Sequence, residues 1–115
     1  MRPNERDNKT IRFFKMPKFL FDREPYKMLS LAAKVLYSVL LDRLQLSIKN
    51  GYILDDGTPY VLVESSHLEN LLSCHRNSIN KYFAELEVFE LIRKDFLPRS
   101  SVVQVFFFPL CFNED

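Results

Sequence analysis

The stretch of sequence that decides the fold runs from Glu64 to Ile92 and reads ESSHLENLLSCHRNSINKYFAELEVFELI. Apolar residues recur in it at helical spacing in two sets, which predicts two short helices. Three residues between the sets leave room for only a tight turn. The first set is Leu68, Leu71 and Leu72, the turn is Ser73, Cys74 and His75, and the second set is Ile79, Phe83 and Leu86, with Tyr82 beside it. This pattern is typical of a helix-turn-helix.

Polar residues next to each set predict where the two helices begin. Ser65 or Ser66 can cap the first helix, because a serine hydroxyl accepts a hydrogen bond from the free N–H groups of the first turn. Glu69 follows Ser66 at the spacing of a capping box. The second helix is expected from about Arg76 to Val88, with His75 placed to cap it or to contact a phosphate. The two helices are therefore expected to pack closely across the turn.

Elements on both sides of this stretch complete a winged fold. Two β-prone runs, Leu91–Phe96 and Val102–Phe108, follow it and predict a two-stranded wing. Before it, Ser30 is a helix N-cap, and a long first helix ends near Asn50–Gly51, where glycine can take the left-handed conformation. The apolar positions of that helix are Ala32, Val35, Leu36, Val39, Leu40 and Leu44. The long helix is expected to serve mainly as a scaffold.

Shorter elements are predicted between and before these. Tyr52–Leu54 and Tyr60–Val63 flank a turn-rich linker and predict an inserted β-hairpin. Ile11–Met16 has the composition of a strand, and one helical turn is expected within Lys18–Tyr26. In that turn the core side chains are expected to be Phe19, Leu20 and Phe21.

The predicted fold is therefore α+β: a winged helix-turn-helix with a long first helix, an inserted β-hairpin and a C-terminal wing. Its length of 115 residues suits one domain. We expect a flexible N-terminus at residues 1–10, the winged-helix domain at 11–112 and terminal residues at 113–115.

Composition excludes several classes of function. The net charge of +1 rules out coating of nucleic acid by overall charge, so DNA binding requires a local patch. The sequence has no glycine-rich phosphate loop, G-x-S-x-G elbow or HExxH motif, and we expect no enzyme activity. His67, Cys74, His75 and Cys111 lack the ligand spacing of structural zinc, so neither metal nor cofactor is expected. Without a signal peptide or membrane-spanning run, a reducing, cytoplasmic location is expected.

The outward face of the second helix has the chemistry of a DNA reader. Arg76, Asn77 and Asn80 can match guanine and adenine edges in the major groove. Ser78 and Lys81 can hold phosphates, which fixes the register of the helix. No acidic residue lies between positions 73 and 84. In the wing, the basic residues that can reach the DNA backbone or minor groove are Arg93, Lys94 and Arg99. The alternative is an ordinary solvated polar face.

Three segments carry a resemblance to a known family. They are FFKMPKFLF at 13–21, YKMLSLAAKVLYSVLLDRLQLSIKNGYILDDGTPYVLV at 26–63, and LLSCHRNSINKYFAELEVFELI at 71–92. The most specific part is the ordered set LS-x-x-AK-x-LY-x-x-LLDR-x-x-LS-x-x-NG from Leu29 to Gly51. Together they resemble the N-terminal domain of the plasmid replication-initiator protein A family of Gram-positive bacteria.

The resemblance implies a winged helix that binds repeated sites, or iterons, in a plasmid origin as a dimer or higher assembly. It places the recognition-helix positions on Arg76, Asn77, Ser78, Asn80 and Lys81 and the wing after Ile92. Under the resemblance, the chain is either the N-terminal domain of a longer initiator, whose second domain contacts host replication proteins, or a short relative of the family.

Two other functions remain open from the sequence. One is a self-association module, because Phe13, Phe14 and the apolar run Val102–Leu110 exceed what one sheet face needs. A homodimer is expected in which the first strand or the wing contributes. The other is a transcriptional regulator, because fold alone does not fix which DNA is bound.

Overall fold

A computed structural model of the chain describes residues 11–97 and 100–110. The predicted flexible N-terminus at 1–10 and the terminal residues at 113–115 therefore lie outside the described residues, as do residues 98, 99, 111 and 112 of the predicted domain. In chain order, the elements are α1 (Phe19–Asp22), a 3-10 turn (Tyr26–Met28), α2 (Leu31–Lys49), β1 (Val61–Glu64), α3 (Ser65–Leu72), α4 (Arg76–Val88), β2 (Ile92–Phe96) and β3 (Val102–Phe107).

The three strands form an antiparallel sheet in the order β1-β3-β2. Strands β2 and β3 form the hairpin of the wing, with Ile92 opposite Phe107. Strand β1 pairs along the other edge of β3, with Val61 opposite Val105. Helices α3 and α4 stand between β1 and the wing in the chain. The prediction of an α+β winged helix-turn-helix is confirmed.

The long helix α2 has the predicted ends. The Ser30 hydroxyl accepts a hydrogen bond from the N–H of Ala33 at 3.2 Å, and Gly51 adopts a φ of +83° just after the helix. Glycine adopts this left-handed conformation without strain because it has no Cβ. The buried apolar residues of α2 are Ala33, Leu36, Tyr37, Val39 and Leu40, whereas the predicted core positions Ala32, Val35 and Leu44 are half-buried.

One core holds the helices on one face of the sheet. There, side chains of α2, α3 and α4 pack in one cluster with alternate residues of β1 and β3. The largest fully buried side chains include Leu36, Leu40, Leu68, Ile79, Phe83, Leu86, Leu91, Ile92, Val61 and Val63. Such interdigitated packing fixes the orientation of α4 relative to the wing.

The predicted inserted β-hairpin is wrong in its pairing. Val61–Glu64 pairs with β3, whereas Tyr52–Leu54 is exposed and joins the returning chain through one isolated bridge, between Ile53 and Pro59. The physical reason is burial: Val61 and Val63 alternate onto the core only when their strand lies beside β3. The linker keeps its turn, closed by the bond from the Leu54 N–H to the Thr58 carbonyl.

The predicted strand at Ile11–Met16 is also wrong. All six residues are exposed in an irregular, non-hydrogen-bonded segment, because no strand of the described residues lies beside it to pair with. The helical turn that follows is confirmed as α1, but only Leu20 is fully buried in it. Phe19 packs edge-on against Tyr26 and Tyr37, with ring centroids 5.2 and 5.9 Å apart.

The start of α3 differs from the predicted capping box. Glu64 occupies the N-cap position and makes no side-chain cap bond. The Ser65 hydroxyl donates instead to the Ser101 carbonyl at 3.3 Å, which connects α3 to the wing loop. Ser66 donates to the Glu64 carboxylate at 3.5 Å, so the Ser66 hydroxyl is turned away from the helix. Tertiary contacts have replaced the local cap.

Candidate nucleic-acid interface

A sharp turn sets the angle between α3 and α4. Ser73 adopts a left-handed conformation with φ of +53° and ends α3, while the Cys74 N–H donates to the Glu69 carbonyl at 3.1 Å. His75 then caps α4, because its Nδ1 accepts a hydrogen bond from the Asn77 N–H at 3.0 Å. Capping is one of the two roles predicted for His75 from the sequence. The first turn of α4 is thus held in place before any ligand arrives.

Helix α4 has one buried and one exposed face, as its sequence predicts. Ile79, Phe83 and Leu86 are at most 1% exposed and fix the helix against the core. The opposite face carries Asn77, Asn80 and Lys81, all exposed. The remaining positions are Arg76, which is exposed, and Ser78 and Tyr82, which are half-buried. The structure therefore brings the five predicted recognition positions together on and beside the start of one rigid helix.

Arg76 is engaged by an acidic residue that sequence reasoning did not assign to the site. Its Nε lies 3.6 Å from the Glu69 Oε2, across the turn between α3 and α4. The side chain of Arg76 is 57% exposed and that of Glu69 is 29% exposed. The carboxylate therefore forms an ion pair with the guanidinium on its Nε side.

A second acidic residue, Glu85, is directed away from the polar face. Its carboxylate accepts hydrogen bonds from the backbone N–H and the hydroxyl of Ser30, at 3.0 and 2.8 Å. These bonds connect Glu85 to the start of α2. The dipole of α2 favours a negative charge at this end. Residues 73–84 contribute no carboxylate to the exposed face of α4, and Glu69 of α3 reaches that face at Arg76.

The wing contributes one accessible cation at its start. The Arg93 Nη1 lies 3.0 Å from the Asp95 Oδ2, and its guanidinium carbon lies 4.5 Å from the centre of the Phe106 ring. Arg93 is 54% exposed and lies on the sheet face away from the helices. Arg99, the third predicted wing contact, lies outside the described residues.

Lys94 points the other way, toward α4. Its ammonium lies 4.8 Å from the centre of the Phe83 ring and 5.1 Å from that of Phe96. Burial lowers the pKa of Lys94, and the nearby Glu87 carboxylate opposes that shift. The Lys94 backbone N–H also donates to the Glu87 Oε2 at 3.4 Å. The Lys94 side chain therefore packs between the wing and α4, and its ammonium group is partly shielded from solvent.

Other chemistry is not assembled in the part of the chain that the structure describes. Residues 11–97 and 100–110 contain no group of three His, Cys, Asp or Glu side chains arranged to hold a metal ion. Nor is any helix there both long and apolar enough to cross a bilayer.

Several solved structures match the chain, and three of them each have a TM-score of 0.77 and cover 99% of this chain. One, described as "Structure of Rep-DNA complex", is 28% identical, and 88% of that chain is covered. Another, "Structure of MDR initiator", is 32% identical with 90% of that chain covered. A third, "N-Terminal domain of DNA binding protein", is 28% identical with 87% covered.

Comparison with family models agrees with the structural matches. No curated protein matched the chain. The model of the replication initiator protein A (RepA) N-terminus matches residues 12–107, which include every described helix and strand. The fold and this match lead to one conclusion: the chain belongs to the replication initiator protein A N-terminal family.

Proposed function

We propose that this domain binds double-stranded DNA sequence-specifically at the repeats of a plasmid origin and so takes part in initiating replication. The observation that carries the proposal is the exposed, acid-free polar face of α4, which three fully buried side chains hold on the core. A major groove admits one α-helix, and Asn and Arg side chains match base edges there. The similarity to a structure described as a Rep-DNA complex supports the same function.

The face divides into base-reading and phosphate-binding parts. Asn77 and Asn80 lie on the exposed side of the first two turns of α4, where a recognition helix contacts base edges. Lys81 lies next to Asn80 and is exposed, so its ammonium can reach a phosphate beside the groove. Arg93 offers a further cation on the wing. We propose the role of a cytoplasmic binding protein without a catalytic step.

Fluorescence anisotropy with a duplex that carries the origin repeat tests the proposal. We expect the domain to bind this duplex more tightly than a scrambled duplex of equal length. We also expect affinity to fall as salt is raised, because phosphate contacts release counterions. Equal affinity for the two duplexes, or no dependence on salt, would contradict the proposal.

We propose in addition that the domain acts as a homodimer, and the segment before α1 supports this. Phe13 is 76% exposed and Phe14 is 50% exposed, an arrangement that is unfavourable in water. The segment borders a groove of about 700 Å³ on α2. The residues that line it are Arg12, Phe13, Phe14, Asp42, Gln45, Leu46 and Lys49.

The wing gives less support to self-association than its sequence suggests. Val103 and Val105 are buried in the domain's own core, and Phe106 is 9% exposed because Tyr60 and Arg93 cover it.

Light scattering at high micromolar concentration is expected to give the dimer mass for wild type. The variant Phe13→Ser should shift the mass toward the monomer, and a monomeric wild type would count against a homodimer.

A further inference from the structure

We infer that Glu69 is a positioning residue for DNA specificity. It orients Arg76 for base reading, and it weakens the sequence-independent binding of Arg76 to DNA phosphates. The inference rests on the proposed function of α4 and adds a residue outside the recognition helix. The contact that carries it joins the Arg76 Nε to the Glu69 Oε2 at 3.6 Å.

The geometry of the guanidinium decides what Arg76 can still do. A guanidinium has five N–H donors in a planar fork, and the contact with Glu69 uses the Nε edge. The two terminal nitrogens remain available, and these form the bidentate pair with O6 and N7 of guanine. Engagement by Glu69 therefore keeps the groups that read a base and restricts the directions in which they point.

Both ends of the contact are fixed by the backbone. Glu69 lies in the last turn of α3, where its carbonyl accepts the hydrogen bond from the Cys74 N–H. Arg76 is the first residue of α4, directly after the capping residue His75. The Glu69 side chain is only 29% exposed, which limits its rotamers. A contact between two fixed helix ends orders the arginine before DNA arrives, and this reduces the entropy lost on binding.

The charge of Glu69 has a second consequence. It lies beside a face that carries no other acid from 73 to 84, and Glu85 is engaged by Ser30. A carboxylate there partly neutralises Arg76 toward phosphates and repels a backbone that approaches in the wrong register. Specificity is a difference between two affinities, and a repulsive group can raise it while it lowers overall binding.

Two variants separate the position of the carboxylate from its charge. Glu69→Gln removes the charge, and Glu69→Asp keeps it but withdraws it by one methylene. Glu24→Gln is the matched control, because Glu24 forms an exposed ion pair with Lys27, at 3.5 Å, and precedes α2 in the chain, outside α3, α4 and the turn between them. Each protein is titrated with the origin-repeat duplex and a scrambled duplex at two salt concentrations.

For Glu69→Gln, we expect tighter binding to the scrambled duplex and a ratio of specific to scrambled affinity that falls about tenfold, within the range of one base-reading contact. Glu69→Asp should lose a similar part of the ratio while scrambled affinity stays near that of wild type. Glu24→Gln should leave the ratio unchanged. Thermal unfolding of all variants should remain close to that of wild type, since exposed ion pairs contribute little stability.

The outcomes distinguish this inference from the proposed function. If wild type discriminates between the duplexes but Glu69→Gln keeps the wild-type ratio, the role of Glu69 is overturned and DNA binding stands. If Glu69→Gln weakens binding to both duplexes equally, Glu69 is structural, and the inference is again overturned. A wild type that binds neither duplex overturns both.

Discussion

The carboxylate of Glu85 accepts two hydrogen bonds from Ser30, one from its backbone N–H at 3.0 Å and one from its hydroxyl at 2.8 Å. The two residues are 55 positions apart in the chain. Ser30 is also the N-cap of α2, so one pair of residues caps α2 and fixes α4 to it. The orientation of α4 therefore depends on a charged contact as well as on the core.

Loss of this contact should destabilise the domain. For Glu85→Ala we expect a decrease of about 1 to 2 kcal/mol in the free energy of unfolding, the range for hydrogen bonds to a charged group in a partly exposed site. Ser30→Ala should cost a similar amount, because it also removes the N-cap. In urea denaturation the double variant should lose less than the sum of the two. Strict additivity would show that the pair does not couple.

Arg76 and Lys81 should have different effects on DNA binding. Arg76→Ala is expected to weaken binding to the origin repeat by about 1 to 3 kcal/mol and to spare scrambled DNA. Lys81→Ala should weaken both duplexes alike and reduce the slope of log affinity against log salt by about 1. Anisotropy titrations at several salt concentrations measure both quantities. Identical behaviour of the two variants would contradict the division into base and phosphate contacts.

Replacement of Lys94 should affect DNA binding less than replacement of Lys81. The Lys94 ammonium lies over Phe83 and Phe96 rather than in open solvent, and methionine can occupy the same space and contact both rings. We expect Lys94→Met to keep a duplex affinity near that of wild type. Stability should remain within about 1 kcal/mol, because the lost cation–π contact is offset by relief of charge burial. An affinity loss as large as that of Lys81→Ala would place Lys94 at a phosphate.

The pH dependence of stability should report the burial of Tyr37. Burial raises the pKa of Tyr37 from 10.0 to about 12, and Tyr26 adds to the shift. The unfolded chain therefore loses the Tyr37 proton first, so this stabilisation is complete below pH 10 and is lost as pH rises toward 12. Because a change of one in pKa corresponds to about 1.4 kcal/mol, the complete loss amounts to about 3 kcal/mol.

The variant Tyr37→Phe checks this by chemical denaturation across the alkaline range. Phenylalanine keeps the ring that packs edge-on against Phe19 and Phe107, at 5.9 and 5.6 Å between centroids. The alkaline decline in stability should therefore be shallower in the variant, while the two proteins respond alike from pH 7 to 9. If the free energy of unfolding declined equally in the two proteins above pH 10, ionisable groups other than Tyr37 would cause the decline.

The local pattern of the sequence determined most elements. The periodicity of Ile79, Phe83 and Leu86 predicts which face of α4 is buried, because helical spacing alone puts those side chains on one side. Ser30 and Gly51 likewise mark the ends of α2, since capping and left-handed turns depend on neighbouring backbone groups. The bounds of α4 and of both wing strands follow from equally local signals.

Only the tertiary structure decided which strands pair and what the charged side chains contact. Val61 and Val63 are compatible with a local hairpin, but they pair with β3 because burial against α2 and α3 favours that register. No local pattern brings Glu85 to Ser30 or Glu69 to Arg76, since those contacts arise where separate elements meet. The sequence by itself therefore determined α4 and its polar face. Packing in three dimensions decided the orientation of that helix, and with it which of its polar groups are exposed to solvent.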